Sequence, residues 1–107
     1  MNHFAYDLAE KLSAKFAEPT EKSHNHVYEF TVDPSGRKYQ RIICTPVFQG
    51  RSTGRHVYCF VDGDGNVFKA AGWKAPAKHV RFTVDTSEKL AEFIQVADPH
   101  GSCLYIR

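Results

Sequence analysis

Long apolar runs are missing from this 107-residue chain, and no stretch approaches the roughly 18 residues of a membrane-spanning helix. The first residues form no secretory core, because Asp7, Glu10 and Lys11 interrupt them. Both absences lead to the expectation of a cytoplasmic protein with no membrane partner. Cysteine is scarce. Cys44, Cys59 and Cys103 are odd in number, widely spaced and each set among apolar neighbours, which fits reduced core thiols better than a disulfide framework. A Gly-rich phosphate loop, a nucleophile elbow and paired carboxylates at a strand end are also absent, so neither catalysis nor a cofactor is signalled. Internal repeats, heptads and low-complexity runs are missing too.

Most informative is the lack of any acid from Pro34 to Val61. Residues 1–33 carry three Lys and six acids, residues 34–84 nine Lys or Arg and two acids, and residues 85–107 two bases and four acids. The net charges are therefore −3, +7 and −2, within a total of +2. A basic middle between acidic ends is a clue to an anionic partner, though not to a fold.

What is present suits one small domain, residues 1–107, with 42% hydrophobic and 13% aromatic content and room for a single core. Phe4, Leu8, Leu12 and Phe16 recur every four residues, predicting a helix capped by Asn2 and stopped before Pro19. From His26 the period becomes two, and Val27, Tyr28, Phe30 and Val32 suit a strand. "DPSG" is a turn into a second strand from Arg37 to Thr45, with Tyr39, Arg41 and Ile43 on one face and Lys38, Gln40, Ile42 and Cys44 on the other. Pro46 ends that strand or puts it on an edge. "QGRSTGR" reads as a mobile basic loop, "HVYCFVD" and "VFKAA" as strands joined by the "GDGN" turn, and Val80 to Val84 as a short strand. Asp85, with Glu88 three residues on, predicts the start of a second helix whose apolar face is Leu90, Phe93, Ile94 and Ala97. "SCLYIR" suits a closing strand. The expected fold is α+β, a mainly antiparallel four- or five-stranded sheet with an N-terminal and a C-terminal helix packed on it.

Lys69, Trp73, Lys74, Lys78, His79 and Arg81 form the strongest candidate site, with four fixed cations, no acid and the chain's one Trp. Lysine and arginine gain by displacing condensed counterions from phosphates, and an exposed indole can stack on a base. A lone Trp is also a common core residue, and lysines beside it can be a solvated rim. Arg37, Lys38, Arg41, Arg51 and Arg55 extend the field if they converge in space. If they scatter, they merely balance the acidic helices. Asp62, Asp64 and Asn66 begin like a calcium loop, but Val67 stands where its glycine and Trp73 where its glutamate belong, so no metal is expected. His24 and His26 lack a nearby Cys or carboxylate and read as loop residues.

Over "DGNVFKAAGWKAPAKHVR" and again over "DPHGSCLYIR", the chain resembles small uncharacterised proteins of tailed bacteriophages. In these an aspartate leads through a turn into Lys-Ala-Ala-x-Trp-Lys-Ala-Pro-Ala-Lys, and Gly-Ser-x-Leu-Tyr closes the chain. Here those positions are Asp62, Lys69 to Lys78 and Gly101 to Tyr105. The resemblance covers roughly the C-terminal half and implies a phage accessory protein in a host cytoplasm, with no activity attached. Cys103 departs from it by standing where a larger apolar residue is expected. The leading expectation is a non-enzymatic protein that binds nucleic acid or another phosphate-bearing ligand through a basic, Trp-containing face. The alternatives are a module that docks on a host protein with Trp73 as anchor, and a sequestering protein or enzyme for a nucleotide signal.

Overall fold

Among the described residues, one helix, six strands and a second helix follow along the chain. They are α1 (Phe4–Lys15), β1 (Val27–Asp33), β2 (Tyr39–Phe48), β3 (Arg51–Ser52), β4 (His56–Asp62), β5 (Asn66–Lys69), β6 (Phe82–Thr83) and α2 (Ser87–Val96). The structure is a computed structural model that describes residues 3–17, 27–33, 38–48, 50–52, 54–72 and 76–97. The strands pair antiparallel in the order β1-β2-β4-β5-β6, and β3 pairs with β2. The α+β architecture is thus as expected, with β3 and β6 each contributing two residues. The turn at residues 34–36, His24, His26, Cys103 and the closing strand expected at 102–107 lie outside the described residues.

Alternation along β2 sorts its side chains as the sequence predicts. Ile42 and Cys44 join Tyr28, Phe30, Val61 and Val67 in the core that receives Leu8 and Leu12 of α1 and Phe93 of α2. Complete burial of a side chain such as Phe93 contributes about 1.5–3 kcal/mol, and its ring meets Phe82 edge-on at 4.8 Å. On the opposite face Tyr39 packs edge-on against Phe60 at 6.3 Å and Phe68 at 5.4 Å. Ile43 and Phe60 are 5% and 2% exposed yet stand apart from the helix-side core, so the sheet is apolar on both faces. A bulge adjusts the pairing: Ile42 faces Cys59 and Ile43 faces Val57, which leaves Tyr58 as the extra residue.

Several local expectations need correction. His3, not Asn2, occupies the N-cap position of α1, in helical geometry and without a side-chain cap. The helix holds by its buried stripe rather than by its start. At α2 the cap is Thr86 instead of Asp85, its hydroxyl accepting from the Lys89 N–H at 3.1 Å, while Asp85 pairs with the Lys89 ammonium at 3.3 Å. The basic loop contains β3, paired with the end of β2. The strand expected over Val80 to Val84 shrinks to Phe82–Thr83.

Pro46 does not end β2. Tyr28 N–H donates to Phe16 O at 3.1 Å, outside the sheet, so the Tyr28–Pro46 pair is a non-hydrogen-bonded one. The Pro46 nitrogen therefore points away from β1, at the step where β2 has left β4 after Cys44 and not yet met β3 at Val47. The outer edge of β1 is itself covered. Ser13 Oγ of α1 accepts from Phe30 N–H at 3.0 Å and donates to Phe30 O at 3.1 Å, satisfying an edge that otherwise invites another strand. Lys15 Nζ, on the same helix, donates to Ile94 O, Gln95 O and Ala97 O, placing a cation on the negative end of α2.

Candidate functional site

Register decides which cations meet. β2 and β3 join at one end of the sheet, near where β4 begins at His56, whereas β5 finishes at Lys69 opposite Cys59, which in turn faces Ile42 in the middle of β2. At the β3 end lie Arg51 and Arg55, both exposed, while Lys69, half-buried with its ammonium 3.4 Å from Ala70 O, stands level with Ile42. The chain then leaves β5 and returns to it. Ala70 bridges Pro76, and Ala77 N–H donates to Lys69 O at 2.7 Å, which brings exposed Lys78 beside Lys69. Trp73 and Lys74 belong to the stretch between those two anchors and lie, with Arg37, outside the described residues. From Val67 to Val84 the chain carries no acid.

Lys38 and Arg41 sit at the other end. Lys38 Nζ lies over the Tyr39 ring, 5.3 Å from its centre, and Arg41 is paired with Asp33 at 3.1 Å. Half-exposed pairs of this kind are worth at most about 1 kcal/mol, but the pairing cancels a charge the anionic-partner argument had counted. Ten residues of strand separate Lys38 from Phe48, which pairs with Arg51, so Lys38 stands on the order of 30 Å from Arg51 at about 3.3 Å per residue. That is well beyond a physiological screening length of about 8 Å. The structure sets Arg51 and Arg55 at the β3 end, Lys69 and Lys78 side by side at the end of β5, level with the middle of β2, and Lys38 and Arg41 toward the opposite end.

Asp62 closes the β4–β5 hairpin. Its carboxylate accepts from Asp64 N–H, Asn66 N–H and Asn66 Nδ2 at 2.9 to 3.0 Å, which holds the turn together. Among the described residues no three His, Cys, Asp or Glu side chains gather as metal ligands. A cleft of about 370 Å³ between the starts of α1 and α2 is lined by Asp7, Glu10 and Asp85 as well as Lys11, a charge balance unsuited to phosphate. Cys44 and Cys59 are buried and neither is in a disulfide. Burial pushes the Cys44 thiol up to about 12, opposite to what a nucleophile requires. Tyr28 is also raised, by burial first and then by the charge Cys44 would carry. No described helix is long and apolar enough to cross a membrane.

An α+β sheet with helices on one face and exposed cations at the β3 end and beside the end of β5 defines a small protein with a candidate anion-binding surface. The chain belongs to a family of unknown function, DUF7717, whose model matches residues 1–106. No curated protein and no solved structure matches it.

Proposed function

We propose that this protein binds nucleic acid, or another phosphate-bearing ligand, on the basic surface running from the end of β5 to the β3 end of its sheet, as a non-enzymatic phage accessory protein working in a host cytoplasm. One observation supports the reading: Lys69 and Lys78 stand side by side where the chain returns to β5, at both anchors of the stretch bearing Trp73 and Lys74, and the exposed Arg51 and Arg55 lie further along at the β3 end. Cations on such a surface attract a phosphate backbone, and binding releases its condensed counterions. The indole of Trp73 supplies a flat apolar surface for an unpaired base. No base-edge reading is implied, so binding should tolerate any sequence.

The test is fluorescence anisotropy of a labelled single-stranded oligonucleotide against rising salt, with Trp73 emission followed in parallel. Affinity should fall steeply, by a slope of about 0.7 per neutralised phosphate on a log–log plot, and bound strand should quench the indole. Absence of binding at low salt overturns the proposal.

A further inference from the structure

Arg81 is half-buried and turns its guanidinium onto its own loop. Its Nη1 donates to Lys78 O at 2.9 Å and to His79 O at 3.2 Å. Between them His79 has φ of 74°, the one described residue other than glycine in the left-handed region. The bond pattern explains why. Ala77 N–H reaches Lys69 O and Arg81 N–H reaches Val67 O, so five residues on the returning chain face three on β5. The excess must loop out, and Lys78, His79 and Val80 are all exposed. A left-handed conformation costs free energy in any residue with a Cβ, and the surrounding structure must hold it.

We propose that Arg81 is a positioning residue of the anion-binding surface and not a phosphate contact. Its guanidinium ties down the two carbonyls, holds His79 in its left-handed turn, and so fixes the direction in which the Lys78 ammonium and the His79 imidazole leave the surface. It also covers two carbonyl oxygens that would otherwise repel an approaching phosphate. The inference rests on the binding function above and adds a division of labour among its cations.

Salt dependence separates the two roles, since a side chain touching phosphate contributes to the slope and one that only shapes the loop does not. Arg81→Ala should weaken oligonucleotide binding about five- to tenfold, the population penalty of a left-handed residue without its support, and leave the salt slope unchanged. Lys78→Ala should lower the slope by about 0.7. Adding His79→Gly to Arg81→Ala removes a side chain from the site, yet it should restore roughly half of the lost affinity, because glycine enters that conformation at no steric cost. A slope reduced by about 0.7 in Arg81→Ala, or no recovery in the double variant, overturns the inference while wild-type binding stands. A wild type that binds nothing at low salt overturns the binding function itself.

Discussion

The two ends of the sheet are built from the same strands and put them to different uses. At the end where β4 turns into β5, polar groups answer one another: Asp33 holds Arg41, Asp62 holds the hairpin backbone, and Thr83 Oγ1 bonds Asn66 Oδ1 at 3.1 Å. Gly65 is pressed there against Asp85, where a Cβ would lie 3.1 Å from backbone atoms. At the β3 end, Gly50 and Gly54 also have positive φ, but a Cβ at either would meet no described atom within 4 Å. One end is packed tightly against α2's start, and the other leaves space around its turns. A run of basic residues along a chain thus says little until the register shows which of them share an end.

The contrast breaks most visibly under charge reversal. Arg51→Glu with Arg55→Glu should lower oligonucleotide affinity more than about a hundredfold at low salt, whereas Arg41→Gln should change it less than about threefold, because Arg41 is already paired. Equal losses in an anisotropy titration would erase the distinction. Glycine substitution sharpens it through stability. Gly65→Ala combines φ of 85° with a backbone clash and should cost about 2–3 kcal/mol, while Gly50→Ala, strained but unobstructed, should cost about 1 kcal/mol. Urea midpoints measure both. The middle of the sheet gives the smallest effect and only in alkali. The Cys44 thiol is raised to about 12 in the folded chain from an ordinary 9.0. Between those values the unfolded chain has lost the proton and the folded chain keeps it, so stability is unaffected below pH 9 and declines from there toward pH 12. Thermal midpoints across that range should fall, and less steeply in Cys44→Ala.

Much of this was legible in the sequence wherever a single element carries the signal. The four-residue stripe of α1, the alternation of β2 and the "GDGN" turn each follow from the residues they contain. Features that depend on two distant segments were not legible. Ser13 looks like any helical serine until β1 lies beside it, and Lys15 gives no hint that α2 will end against it. Pro46 reads as a strand end or an edge position, and which of the two applies depends on which neighbour β2 is leaving. The candidate site divides the same way. Its cations were named by charge and composition, but their distribution over the sheet depends on register, and the inward turn of Arg81 on a bulge that only pairing with β5 creates.

The central claim is a location, and amide chemical-shift mapping tests it directly. Titrating a short single-stranded oligonucleotide into isotopically labelled protein should shift amides at residues 50–55, 69–72 and 77–81, and leave Lys38 to Arg41 and Asp62 to Asn66 unmoved. Shifts concentrated at that second group, or in the cleft between α1 and α2, would contradict the account.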